Sequence, residues 1–180
     1  LLSRFDPSSF TVFTTKANID AKVESFKEFD VKTIFKSFYF SSKANYYLSG
    51  IQIKGAIRKI VNYAKENKPK VLVSVFPDYY FLKITVEASR ELKIPFIAYL
   101  HDTISESAYG GKLYEKSMKL QEDVFKEASA IFVMSEGMKN LYKDKYSIDT
   151  IPLQHTYLEP VKNEIANDNL KPQAFWGGDI

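Results

Sequence analysis

Short runs of β-branched, aliphatic and aromatic residues alternate along this chain with longer stretches whose apolar positions recur every three or four residues. That alternation restricts the fold more than any other feature, because a period of two fits a strand and a period near 3.6 fits a helix. Phe10-Thr11-Val12-Phe13-Thr14 and Val31 to Phe35 read as short strands. Between Gly50 and Asn67, residues Ile53, Ile57, Ile60, Val61 and Ala64 form one helix face, which Pro69 ends. Val71-Leu72-Val73-Ser74-Val75 is apolar at nearly every position, the pattern of a parallel strand covered on both faces. Asp78 is placed to cap a helix with an inner face of Phe81, Ile84, Thr85, Ala88 and Leu92. Ile94-Pro95 interrupts, and Phe96 to Leu100 reads as a second buried strand. Leu113, Leu120, Val124 and Ala128 mark a long helix, and Ala130 to Met134 a third buried strand. Ser135 then caps a short helix carrying Met138, Leu141 and Tyr142, and Thr150-Ile151-Pro152-Leu153 is a last short strand. Gly50 and Gly110-Gly111 are expected in turns.

A βαβαβαβ series predicts an α/β domain with a doubly wound, Rossmann-like parallel sheet. Ligands of such sheets collect beyond the carboxyl ends of the strands. The chemistry is therefore expected in Phe76-Pro77-Asp78, His101-Asp102-Thr103 and Ser135-Glu136-Gly137.

Composition excludes several classes. With no cysteine there is no disulfide framework, thiol nucleophile or Cys-based zinc site, and two histidines cannot make a three-His metal site. Twenty-five basic and 22 acidic residues, read as mixed along the chain, give a net charge of +3. That excess is too small to predict a nucleic-acid partner, although it favours an anionic surface. The longest apolar runs fall far short of the ~20 residues of a membrane helix. The chain starts without Met and shows no signal-peptide pattern, so it is expected to be a trimmed form or a piece of a longer protein.

His101-Asp102 is the sharpest feature. A neutral imidazole there can act as general base or donate to a phosphate oxygen, and the adjacent carboxylate can orient it or serve as base itself. The same pair also suits a cap and the start of the next turn. A metal phosphohydrolase of the HD type fits poorly, since the pair follows a strand and the further His ligands are lacking. Ser135-Glu136-Gly137 could face an anion with its backbone N–H groups, or be an ordinary helix cap. No Walker sequence, G-x-S-x-G or G-x-G-x-x-G occurs. Phe35, Phe38, Tyr39, Phe40, Tyr46 and Tyr47 crowd between residues 35 and 47 with Lys36 and Lys43 interleaved. Such a cluster suits a sugar, a membrane interface, or simply a packed loop or subunit contact.

From Lys70 to His155 the chain resembles the N-terminal half of a GT-B fold glycosyltransferase, of the large retaining family that includes many bacterial glycan-building enzymes. The matching runs are Val71 to Val75, Ile94 to Asp102, Glu127 to Met138 and Ile148 to His155, and Phe175-Trp176-Gly177-Gly178-Asp179-Ile180 resembles the first strand and glycine turn of a second domain. The resemblance implies one GT-B half. Residues 1–158 would be the acceptor-side domain, 159–172 a linker and 173–180 a stub of the donor-binding domain. It also implies transfer of a sugar from a nucleotide-diphosphate donor to a glycan or lipid-linked acceptor, without a required metal or resident cofactor. His101 and Asp102 would be catalytic, with Pro77, Asp78, Thr103, Ser135, Glu136 and Gly137 lining the cleft and Gly177 and Gly178 belonging to the donor loop. Phe38, Tyr39 and Phe40 would touch acceptor or membrane. The setting is cytoplasmic, with peripheral contact at the inner membrane face. Two departures stand out: the usual opening strand with its glycine loop does not precede Leu1, and the paired-glutamate motif does not follow before Ile180. On this reading the polypeptide alone does not catalyse transfer. A non-catalytic, flavodoxin-like binding or regulatory module shares the architecture, because a fold does not fix a function.

Overall fold

The computed structural model describes residues 6–15, 30–35, 43–76, 78–106 and 111–153. Strands β1 (Thr11–Thr15) and β2 (Asp30–Phe35) are followed by helix α1 (Lys43–Asn67) and strand β3 (Leu72–Phe76). Helix α2 (Tyr79–Leu92), strand β4 (Phe96–Leu100), helix α3 (Gly111–Glu127), strand β5 (Ala130–Val133), helix α4 (Glu136–Tyr146) and strand β6 (Ile151–Pro152) complete the order. β1 and β2 pair in parallel, and β3-β4-β5-β6 form a second parallel sheet in that order. The architecture is α/β on parallel sheets, consistent with a Rossmann-like doubly wound fold.

Because β3 to β6 follow one another in space as they do in sequence, crossovers of a single hand lay their helices on the same face. The burial follows. Phe76, Phe96, Ala98, Leu100, Ile131 and Val133 point to one face and pack with Leu82 and Val86 of α2, Leu120 and Val124 of α3 and Tyr142 of α4. The residues between them face the other way. Strand register aligns Val75, Tyr99, Phe132 and Ile151 in a row across all four strands on that second face. Val73, Val75 and Ile151 remain 56%, 48% and 50% exposed there. The expectation of a Val71 to Val75 strand covered on both faces is therefore corrected: β3 alternates, because the described helices all pack on one side.

A second cluster joins Ile34 of β2, Ile53, Ala56, Ile60 and Val61 of α1, and Ile84 and Ala88 of α2. Helix α2 thus lies between two apolar neighbours. Its buried residues are Leu82, Ile84, Thr85, Val86 and Ala88, while Phe81 and Leu92 of the expected inner face are only partly buried. Leu82 and Val86 reach the sheet and Ile84 and Ala88 reach α1, so no single stripe could describe it. Of the apolar residues expected on the last helix, Leu141 is exposed, and Tyr142 alone is fully buried there. Gly50, expected in a turn, sits inside α1, where an added Cβ would meet nothing within 4 Å.

Three helices end on non-glycine residues in the left-handed conformation: Lys68 (φ 49°) after α1, Lys93 (φ 56°) after α2 and Ser147 (φ 57°) after α4. Glycine is the residue that adopts this geometry without steric cost. No helix among the described residues is long and apolar enough to cross a membrane.

Candidate functional site

Three adjacent parallel strands, β3, β4 and β5, deliver the expected residues to one edge of the sheet. Asp78 follows β3 and caps α2, its Oδ1 accepting from the N–H groups of Tyr80 (2.8 Å) and Phe81 (3.1 Å). Ser135 follows β5 and caps α4 in extended conformation, its Oγ accepting from the Met138 N–H at 3.1 Å. Both caps work because their oxygens satisfy N–H groups that no helical carbonyl can reach. Glu136 is exposed and pairs with Lys139 at 3.2 Å, and Gly137 leaves ordinary space beside the Ser135 side chain. Strand order does not reverse within β3 to β6. The placement of the site thus rests on the strand ends rather than on a switch point.

His101 lies between these caps, at the end of β4. Its backbone N–H donates to the Phe76 carbonyl at 3.2 Å, which joins the ends of β3 and β4. Its ring meets Tyr99 edge to face, with centroids 4.5 Å apart. Residues two apart on a strand share a face, so His101 and Tyr99 lie on the side that the described helices leave uncovered. The Tyr99 hydroxyl donates to the Leu153 carbonyl at 2.8 Å, reaching past β5 to the end of β6. Burial raises the Tyr99 phenol above its ordinary range, which keeps it a protonated donor.

Asp102 is exposed, and its Oδ1 accepts from the Thr103 N–H at 2.7 Å. The loop then turns inward. Thr103, Ile104 and Ser105 are buried, and the Ser105 N–H and Oγ both donate to Oε1 of the buried Gln121 on α3, at 3.2 and 3.0 Å. From α4, the Tyr142 hydroxyl donates to the Asp102 carbonyl at 3.4 Å. Burial, then the neighbouring Tyr146, push the Tyr142 phenol well above the ordinary tyrosine range, so it too stays a donor. Glu106 accepts from Lys145 and from the Tyr146 hydroxyl. Two helices therefore hold the 101–106 loop, and the Asp102 carboxylate stands at its exposed end. Such an arrangement can present an imidazole and a carboxylate, held in fixed positions, to a polar ligand beyond the strand ends.

The structure thus brings Asp78, His101, Asp102, Thr103 and Ser135 to Gly137 to one edge. Pro77, Phe38, Tyr39, Phe40, His155, Gly110, Gly177 and Gly178, the 159–172 linker and the 173–180 segment lie outside the described residues. Sequence reasoning missed Tyr99, Ser105, Gln121 and Tyr142. Tyr99 carried a signal in its two-residue offset from His101, and Gln121 in being a polar residue next to Leu120 and three before Val124 on the inner stripe of α3. Among the described residues no group of three or more His, Asp or Glu side chains is placed to hold a metal ion. Compared with known proteins, the chain matches no family model and no curated protein.

Proposed function

We propose that this domain is the acceptor-side half of a cytoplasmic glycosyltransferase of the GT-B type. The supporting observation is the held loop at the end of β4, where His101 meets Tyr99 edge to face and α3 and α4 anchor the segment that carries the exposed Asp102. On this reading His101 accepts a proton from an acceptor hydroxyl or donates to a phosphate oxygen, and Asp102 orients the acceptor or acts as the base. The capped starts of α2 and α4, at Asp78 and Ser135, flank the loop on either side. The acceptor is a glycan or lipid-linked glycan. A nucleotide-diphosphate sugar arrives on a separate donor-binding domain, and no resident metal or cofactor is needed.

The division of labour is testable with a nucleotide-diphosphate sugar and a glycan acceptor. Expected is no transfer by this polypeptide alone, and transfer when it is joined to a donor-binding half. Turnover by the 180-residue chain alone would contradict the proposal.

A further inference from the structure

The modest net charge conceals an uneven distribution. Seven of the 25 basic residues but one of the 22 acidic residues fall within residues 43–70, so this stretch carries +6 and the remainder of the chain −3. The reading of charges mixed along the chain is corrected accordingly. The structure shows where the excess sits. Ile53, Ala56, Ile60, Val61 and Ala64 are the buried side of α1, which turns Lys54, Arg58, Lys59 and Lys65 to solvent, with Lys68 and Lys70 continuing beyond its end. Lys59 reaches the Ile34 carbonyl. Lys54, Arg58, Lys65, Lys68 and Lys70 form no ion pair among the described residues.

Spacing sharpens the pattern. Positions 51, 54, 58 and 65 are separated by three, four and seven residues, so Ile51, Lys54, Arg58 and Lys65 lie on one stripe of the helix. Ile51 is 71% exposed, the most exposed large apolar residue among those described. We infer that this stripe of α1 is a docking surface for an anionic lipid bilayer, with Lys54, Arg58 and Lys65 at the headgroups and Ile51 in the acyl boundary. Phosphates of a nucleic acid would engage the cations equally, but they offer nothing to an isolated aliphatic side chain, and a bilayer interface does. The inference does not depend on the transferase reading, since α1 holds none of the strand-end residues.

The test is co-sedimentation of the full chain with vesicles of phosphatidylcholine alone and with about one third phosphatidylglycerol, the charge that attracts such clusters. Binding is expected only with phosphatidylglycerol and should fall as salt rises, because screening shortens from about 10 Å at 0.1 M to about 3 Å at 1 M. The triple variant Lys54→Gln, Arg58→Gln, Lys65→Gln should lose binding roughly 100-fold, about five-fold per cation. Ile51→Ser should lose it several-fold. All four positions are exposed, so the variants should keep the wild-type melting temperature. A control removing the same charge elsewhere, Lys93→Gln, Lys126→Gln, Lys139→Gln, should bind as wild type. No binding to phosphatidylglycerol vesicles, an equal loss in the control, or tight binding to a single-stranded RNA oligonucleotide with none to vesicles would each overturn the inference.

Discussion

The two faces of the four-stranded sheet share backbone, register and apolar composition, yet their circumstances are opposite. On one, Phe76, Phe96, Leu100 and Val133 are sealed beneath three helices. On the other, the row Val75, Tyr99, Phe132 and Ile151 has no described helix packed on it, and Val75 and Ile151 stay about half exposed. The difference comes from topology: strands added in sequence order by crossovers of one hand must put their helices together. Stability is accordingly concentrated on one face. His101, paired with Tyr99, stands at the margin of the other.

A matched pair of truncations separates the two faces. Leu100→Ala on the sealed face should cost about 2–5 kcal/mol, the transfer and cavity loss of a fully buried leucine. Val73→Ala on the open face should cost at most about 1 kcal/mol, since little area returns to water. Urea denaturation of both variants measures the contrast, and equal losses would show that the second face is as tightly packed as the first.

The held loop should respond on a smaller scale. Gln121→Leu keeps the volume but strips the Ser105 N–H and Oγ of their acceptor, so about 1–3 kcal/mol should be lost. Hydrogen exchange should quicken at Thr103 to Ser105 more than in β4; uniform acceleration would mean that the loop is not separately held. Next, Asp78→Ala and Ser135→Ala should each cost about 1 kcal/mol as caps. In the opposite direction, Ser147→Gly should stabilise by about 0.5–1 kcal/mol, because glycine relieves the left-handed strain at φ 57°.

The smallest expected effect is at the surface between α2 and α3. Arg90 bridges Glu127 at 2.6 Å and Asp123 at 3.0 Å, and all three groups keep access to water. Arg90→Ala should cost no more than about 1 kcal/mol. The Arg90 hydrogen bond holds Glu127 below the usual glutamate range. The contribution is therefore complete above the unfolded glutamate value of about 4.3 and disappears as pH falls through the lowered folded value. Wild type and Arg90→Ala should converge in stability in acid; a gap that widened in acid would reverse the assignment.

These contrasts also show what the sequence could reveal. Strand–helix alternation, the Asp78 and Ser135 caps and the strand-end position of His101-Asp102 were legible because each is local: a period, a cap oxygen, a polar pair after an apolar run. The uncovered face was not. Val71 to Val75 is apolar at nearly every position, and only the position of neighbouring elements decides which residues are sealed. Helix α1 begins at Lys43, seven residues before the expected Gly50 boundary, because a glycine that marks a turn by residue type can equally sit inside a helix that runs through it. Gln121 and Tyr142 were invisible as loop supports because their partners, Ser105 and Asp102, are 16 and 40 residues away.

In the proposed transferase the His101-Asp102 edge performs the chemistry while the sealed face holds the fold together. This division is tested most directly by turnover and melting temperature together, in the protein joining this domain to a donor-binding half, for His101→Ala and Asp102→Asn. Loss of a general acid or base lowers turnover about 10²–10⁴-fold. That loss is expected with a melting temperature within a few degrees of wild type. Wild-type turnover in both variants would contradict it.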